Sequence, residues 1–156
     1  MAGSERSGVS AANPNLFSAA PCILTPTSRT NRRALAKLSA LWRGVGGRPV
    51  TLLPTRHDAL VAQISHVPHL AAVGLLLAAQ PEAMKLAAGG FADTTRVALS
   101  DPVMWNEICA TNRHELKKAL NLFLGQMEQI KKFLGSDSDM IRRFQLAQRK
   151  RQRIQR

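Results

Sequence analysis

The first third of the chain holds two short β-favouring runs separated by one amphipathic helix, and this arrangement constrains the fold most strongly. The run Cys22–Pro26 is closed by proline, and a second run covers Pro49–Leu53. Between them, Thr30 is placed to cap a helix over Asn31–Trp42, which carries one apolar stripe. Such a unit joins parallel strands, but two strands do not make a stable sheet alone. We therefore expect strands whose natural partners lie outside this sequence.

The glycines between this helix and the second strand invite a comparison with a dinucleotide-binding loop. Gly44-Val45-Gly46-Gly47 closes a helix and precedes a strand. A phosphate-binding glycine loop has the opposite order, since it follows a strand and opens a helix. We reject that interpretation.

The remaining chain is predicted to be helical, so the fold class is mainly α after a strand-helix-strand unit. Aromatic residues make up 4% of the sequence and tyrosine is absent, whereas alanine and leucine are abundant, which favours helix-on-helix packing. Four helices are predicted: Thr55 to about Gln80, Pro81–Ala88, Pro102 to about Leu134, and one after Gly135 that Ser136 or Ser138 caps.

The helix from Thr55 carries a polar stripe and an internal proline. At about 100° per residue, Ser65 and His69 fall roughly 20° to either side of Asp58. These groups are either one wall of a site or a solvated stripe. Pro68 removes one backbone hydrogen bond and costs about 3 kcal/mol in a regular helix, so we expect a kink beside Ser65 and His69.

The stretch Gly89–Trp105 concentrates residues that a simple helical fold does not require. Two glycines loosen the backbone, and Asp93 and Arg96 lie three residues apart. The segment is interpreted as a turn that delivers Arg96 to a pocket, followed by a helix that starts at Asp101 and Pro102. The alternative is an ordinary surface pair of Asp93 and Arg96, worth little to stability.

The formal net charge of +12 permits an anionic partner, but the distribution of the charge is uneven. Of 22 lysines and arginines, seven lie within Arg142–Arg156. A stand-alone basic helical module that binds nucleic acid is one hypothesis. We expect a solvated basic tail and no nucleic acid binding, because Phe144 is the only aromatic side chain there. The apolar run Leu70–Ala79 is shorter than the about 20 residues of a membrane span, so no membrane span is expected.

The cysteines and histidines predict no metal centre. Cys22 and Cys109 are the only two thiols, which is too few for a thiolate zinc site, and no secretory leader is apparent. His66 and His69 lack a third ligand at useful spacing. The sequence therefore favours a reducing, cytoplasmic setting.

Five ordered motifs resemble the prephenate and arogenate dehydrogenase family. They are Leu24-Thr25-Pro26-Thr27, His57-Asp58, Ser65-His66-Val67-Pro68-His69, Gly89-Gly90-Phe91-Ala92-Asp93-Thr94-Thr95-Arg96 and Asp101-Pro102-Val103-Met104-Trp105. The resemblance covers Met1 to about Leu134. It implies NAD- or NADP-dependent oxidative decarboxylation of prephenate or arogenate in tyrosine biosynthesis.

The resemblance also implies a domain organisation. Residues 1–54 resemble the end of a Rossmann-like dinucleotide-binding domain, residues 55–135 a helical substrate-binding and dimerisation domain, and residues 136–156 form a basic helical tail. Met1-Ala2-Gly3-Ser4-Glu5 resembles the end of the family's His-Pro-Met-Ala-Gly motif. The histidine that bonds the substrate's ring hydroxyl, and the glycine-rich cofactor loop, would then precede Met1, which is the expectation for a truncated chain.

By motif match, the resemblance implies a set of substrate-binding residues: Ser65, His69, Arg96, Glu5, Asp93 and Trp105. Arg96 is expected to hold a substrate carboxylate, with Ser65 and His69 as further contacts. The expected partners are a second copy of the chain and prephenate or arogenate, with tyrosine as a further ligand. No catalytic, cofactor-binding or metal-binding residue is expected here, so the isolated chain is predicted to show no turnover. A non-catalytic regulatory dimer is the remaining alternative.

Overall fold

The computed structural model describes residues 8–154, and the chain divides into two compact units between Leu116 and Lys117. The fold is mainly helical with one short sheet, as predicted. The elements in order are a 3₁₀ turn Val9–Ala11, β1 (Pro21–Leu24), α1 (Arg32–Gly44), β2 (Arg48–Thr51), α2 (Pro54–Val61), a π-helical segment Ala62–His66, α3 (Val67–Ala78), α4 (Pro81–Met84), α5 (Gly89–Thr95), a 3₁₀ turn Arg96–Leu99, α6 (Pro102–Thr111), α7 (Arg113–Lys132) and α8 (Asp137–Gln152).

The sheet is the parallel pair that the strand-helix-strand pattern predicts. β1 pairs with β2 in a register that sets Pro21 opposite Arg48 and Leu24 opposite Thr51. Among residues 8–154, this two-stranded sheet has no third strand. Parallel sheets are normally covered on both faces and extended at their edges, so the pair remains an incomplete sheet within the described part of the chain.

α1 ends at Gly44, in the predicted glycine cluster, but its N-terminal cap differs from the prediction. Asn31, and not Thr30, caps the helix, because the Asn31 side chain accepts hydrogen bonds from the backbone N–H groups of Arg33 and Ala34. The Thr30 hydroxyl instead accepts from Thr27 N–H at 2.9 Å and closes the preceding turn. After α1, Gly46 adopts φ 84°, a left-handed conformation that favours glycine.

Pro68 is accommodated by a change of helix type. The backbone remains helical from Pro54 to Ala78, but Ala62–His66 forms a π segment in which Val67 N–H bonds to Ala62 O, five residues earlier. Because a π turn contains more residues than an α turn, the regular 100° step that placed Asp58 with Ser65 and His69 does not hold across the segment. A π segment therefore lies where the kink was predicted, and the kink itself stays a prediction.

Two helix boundaries correct the sequence interpretation. Gly89 and Gly90 open α5 and do not form a turn, so Arg96 follows a helix and starts a 3₁₀ turn. The long helix predicted from Pro102 to Leu134 is interrupted at Asn112, where φ is −112° and ψ is 27°. The start of α6 is as predicted, since Asp101 accepts a hydrogen bond from Met104 N–H at 2.7 Å.

The last helix carries its charges in a favourable order. α8 has Asp137 and Asp139 in its first turn and a basic cluster, Arg149 to Arg151, in its last. These positions complement the helix dipole. Ser136 occupies the N-cap position, but its hydroxyl donates to the Asp139 carboxylate at 2.9 Å, so it does not cap the backbone.

The predicted domain boundaries after residues 54 and 135 stay predictions.

The helix Pro54–Ala78 has the apolar composition of a core helix. Its most apolar window has a mean hydropathy of 1.6, which by length and composition is enough to cross a membrane. Leu70–Ala79 is only part of this apolar stretch, so the short length of that run does not exclude a span. Core helices of water-soluble domains pass the same test, and Ala62, Val67 and Ala72 are buried in this protein.

Candidate functional site

The candidate site centres on two stacked rings. His69, on α3, is 6% exposed, and its imidazole lies over the Trp105 ring with centroids 3.5 Å apart and planes 8° apart. Trp105 lies on α6, 36 residues later in the chain. Two residues that the motifs single out are therefore in direct contact.

The stacked pair has unsatisfied hydrogen-bonding capacity. Within residues 8–154, His69 Nδ1 and Trp105 Nε1 are buried without a hydrogen-bond partner. An indole N–H only donates, so Trp105 requires an acceptor such as a carboxylate or hydroxyl oxygen. Because an unpaired buried donor costs about 1–3 kcal/mol, an acceptor bound there gains a specific advantage.

His66 extends the cluster on the other side of Trp105. It is 8% exposed, and its ring lies edge-on to Trp105 with centroids 6.0 Å apart and planes at 90°. Asn112 Nδ2 lies 3.4 Å from His66 Nδ1 and donates to Asp58 O at 2.9 Å. The sequence interpretation weighed His66 only as a metal ligand and missed Asn112, whose partners lie far away in sequence.

Burial keeps both histidines neutral near pH 7. Burial lowers the pKa of His69 below the ordinary value of 6.5. Burial also lowers the pKa of His66, with a further lowering by His57 that Asp58 opposes. Two neutral imidazoles beside an indole donor form a site that exchanges hydrogen bonds without adding charge.

The structure places the other predicted residues on neighbouring elements. Ser65 is half-buried in the π segment that leads into α3, and Arg96 is exposed at the start of the 3₁₀ turn. Asp93 is exposed on α5, and both α5 and the 3₁₀ turn contact α3. Glu5 lies outside the described residues. The substrate-binding roles of all six residues remain predictions.

The strand-to-helix connector in the described part of the chain does not resemble a phosphate-binding loop. The connector from β1 to α1, residues 25–31, contains no glycine, and α1 begins with basic side chains after an asparagine cap. Gly44 ends α1, and Gly46 and Gly47 lie between α1 and β2, as the sequence predicted. A pyrophosphate needs close backbone approach at a helix N-terminus after a strand, which this connector does not provide.

A separate cavity of about 400 Å³ lies between the sheet and α2. Its lining is apolar apart from His57 and includes Phe17, Trp42 and Val61. Phe17 and Trp42 meet edge to face there, with centroids 5.2 Å apart. Of the predicted substrate-binding residues, the five within residues 8–154 do not line it.

Two family models together match most of the sequence. Residues 53–146 match the family described as "Prephenate dehydrogenase, dimerization domain". Residues 1–51 match "Prephenate dehydrogenase, nucleotide-binding domain". The first match contains the whole His66–His69–Trp105–Asn112 cluster.

Curated relatives agree with these matches. The chain is 34% identical over 143 residues to the prephenate dehydrogenase of Bacillus subtilis, a match that covers 88% of this chain and 38% of that protein. It is 32% identical over 149 residues to the cyclohexadienyl dehydrogenase of Zymomonas mobilis, covering 90% of this chain and 51% of that protein. The chain thus spans about half or less of the length of these relatives.

Solved structures share the fold. The prephenate dehydrogenase from A. aeolicus, in complex with hydroxyphenyl propionate and NAD+, superimposes with a TM-score of 0.85 at 32% identity, covering 98% of this chain and 56% of that chain. The Synechocystis arogenate dehydrogenase gives a TM-score of 0.81 at 29% identity, covering 97% of this chain and 58% of that chain.

Proposed function

Because the chain belongs to the prephenate dehydrogenase family, we propose that it supplies the substrate-binding and dimerisation part of a tyrosine-pathway dehydrogenase. The substrate is prephenate or arogenate, which the complete enzyme decarboxylates oxidatively with NAD or NADP as hydride acceptor. The relatives with solved structures include one prephenate and one arogenate dehydrogenase, which supports both substrates as candidates.

The observation that carries the proposal is the His69–Trp105 pair with its two unpartnered buried nitrogens. Prephenate carries two carboxylates and a ring hydroxyl, and arogenate also has carboxylate and hydroxyl oxygens. The indole N–H of Trp105 donates to such an oxygen. His69, held neutral by burial, exchanges a second hydrogen bond without a charge that binding would have to desolvate.

Arg96 is the proposed carboxylate anchor. A guanidinium presents donors in a planar fork that matches the geometry of a carboxylate. Arg96 starts the 3₁₀ turn that contacts α3, the helix that bears His69. Ser65, half-buried ahead of α3, adds a hydroxyl, and Asp93 shapes the rim.

The dinucleotide has no proposed site on the described residues. NAD or NADP, when bound to a complete enzyme, accepts the hydride that leaves the substrate ring. The residues of this chain bind and orient the substrate, and the isolated chain is expected to show no turnover. A bound, oriented reactant supplies up to about 7–11 kcal/mol of barrier lowering, which substrate binding alone does not replace.

The proposed partner is a second copy of the chain. The family model over residues 53–146 describes a dimerisation domain. Several large apolar side chains on its helices are exposed in the single chain: Leu75, Leu77, Val103, Met104 and Leu122. Sedimentation velocity across a concentration series is expected to show a dimer, and a monomer at all concentrations contradicts this part of the proposal.

Titration calorimetry with prephenate, arogenate and tyrosine tests the binding proposal. We expect binding of one of these ligands by the wild-type chain and at least tenfold weaker binding by Arg96→Gln. Arg56→Gln, which removes an exposed cation from α2, is the matched control and retains wild-type affinity. Equal losses in both variants, or no binding of any ligand by the folded dimer, contradict the proposal.

A further inference from the structure

We propose that Asn112 is a positioning residue: it holds His66 in the tautomer protonated on Nε2, and His66 in turn fixes the orientation of Trp105 against His69. This inference rests on the proposed function only in naming what the Trp105–His69 pair binds. The arrangement of the four side chains is observed independently of that function.

The orientation of the Asn112 amide is set by a backbone carbonyl. Asn112 Nδ2 donates to Asp58 O at 2.9 Å. An amide rotated by 180° would place Oδ1 against the Asp58 carbonyl, with two acceptors facing each other. An amide nitrogen only donates, so the Asp58 contact assigns Nδ2 to this side.

That orientation determines the protonation site of His66. The same Asn112 Nδ2 lies 3.4 Å from His66 Nδ1, and its second N–H is available for this longer contact. A donor requires an acceptor, so Nδ1 carries no proton and the proton of the neutral ring is on Nε2. Burial keeps the ring neutral by lowering the pKa of His66, with His57 lowering it further and Asp58 opposing them.

Trp105 on α6 and Asn112, the residue that directly follows α6, meet at the same ring. Trp105 contacts His66 at 6.0 Å and His69 at 3.5 Å between ring centroids, while Asn112 contacts Asp58 and His66. His66 is therefore the ring that both side chains contact.

The interruption of the helix at Asn112 is part of the same arrangement of contacts. Asn112 departs from helical geometry between α6 and α7. Asparagine is a poor helix former whose side chain competes for backbone hydrogen bonds. Here that side chain bonds to a carbonyl 54 residues earlier in the chain, which attaches the end of α6 to α2.

Nitrogen-15 NMR of the histidines in the full chain tests the tautomer directly. At pH 7.5 we expect His66 with a protonated Nε2 and a bare Nδ1. Asn112→Asp replaces the donor with acceptors, so Nδ1 of His66 is expected to gain the proton and the pKa of His66 to rise. Asn106→Asp introduces the same carboxylate at an exposed position of α6 and is the matched control, with the wild-type tautomer.

Two further readouts test whether the tautomer positions Trp105. The ring-current shifts of His69 are expected to change in Asn112→Asp, and prephenate affinity to fall about tenfold, while Asn106→Asp leaves both unchanged. A wild-type His66 with its proton on Nδ1 overturns the inference, as does a tautomer switch that leaves the His69 shifts unaltered. If wild-type protein binds no ligand, the proposed function fails, but the tautomer and ring-current results still decide the role of Asn112. If Asn112→Asp does not fold, two other measurements decide the role of Asn112. They are the tautomer of His66 in the wild type and the His69 shifts in the milder variant Asn112→Ser, which retains a hydroxyl donor.

Discussion

Acidification is expected to destabilise the protein through His66 and His69. Both rings are buried, and burial lowers the pKa of each below 6.5 in the folded state. The unfolded chain therefore binds more protons than the folded chain as the pH falls below 6.5. The contribution of these two histidines to the free energy of unfolding is fully present above pH 6.5. It declines as the pH falls and stops declining once the pH is below their folded-state pKa values.

The size of the effect follows from proton linkage. For one histidine that stays neutral when folded and has an unfolded pKa of 6.5, the change from pH 7.5 to pH 5.5 costs at most about 1.4 kcal/mol. The two buried rings together cost at most about 2.7 kcal/mol. That upper bound is a large part of the about 5–15 kcal/mol by which a typical domain is stable, so the shift is measurable.

Urea unfolding at pH 5.5, 6.5, 7.5 and 8.5, followed by tryptophan fluorescence, measures this effect. The wild-type midpoint is expected to fall between pH 7.5 and 5.5 and to stay level between 7.5 and 8.5. His66→Gln and His69→Gln each remove about half of the decline, whatever their absolute stability. His114→Gln, whose side chain is 81% exposed, retains the full pH dependence. A wild-type midpoint that is the same at pH 5.5 and 7.5 refutes the reasoning.

Three further changes have defined expectations. Asp101→Ala removes the side-chain cap of α6 and is expected to lower the free energy of unfolding in urea by about 1 kcal/mol. Asp101→Asn keeps a cap oxygen and is expected to retain most of the wild-type stability. Gly46→Ala forces a side chain into a left-handed conformation at φ 84° and is expected to lower stability by about 1 kcal/mol, so an unchanged midpoint contradicts that account. Arg143→Gln removes a guanidinium that lies 4.4 Å from the centre of the Phe133 ring. We expect it to lower the local stability of the last 40 residues by about 0.5–1 kcal/mol, measured as faster amide hydrogen exchange there.

Sequence reasoning succeeded where local chemistry decides the structure. The two strands and the cap at Asp101 follow from residues within a few positions of each other, and the parallel pairing follows from the helix that joins the strands. Pro68 marked the position of the helix irregularity because a missing N–H must change the local hydrogen bonds.

Apart from the local caps of α1 and α8, the errors occurred where contacts distant in sequence decide the structure. Gly89 and Gly90 have low helix propensity, yet they open α5, which contacts α3. Asn112 interrupts a strongly periodic segment, with its side chain bonded to the Asp58 carbonyl. The π segment changes the angular relation between Asp58 and His69, which no regular wheel represents.

The candidate site was predictable as a set of residues and not as a geometry. Motif resemblance named His69 and Trp105, but their stacking joins residues on two separate helices. His66 and Asn112 belong to the cluster through burial and a hydrogen-bond network, which spacing along the chain does not reveal.

The central claim, that the buried nitrogens of the His69–Trp105 pair receive the substrate, is tested most directly by the indole N–H resonances of the two tryptophans. The chain contains only Trp42 and Trp105, so each provides a control for the other. On addition of prephenate or arogenate at pH 7.5, the account predicts a downfield shift of the Trp105 indole proton as it gains an acceptor, with Trp42 unmoved. Saturating ligand that leaves the Trp105 resonance in place, or that shifts Trp42 instead, contradicts the claim.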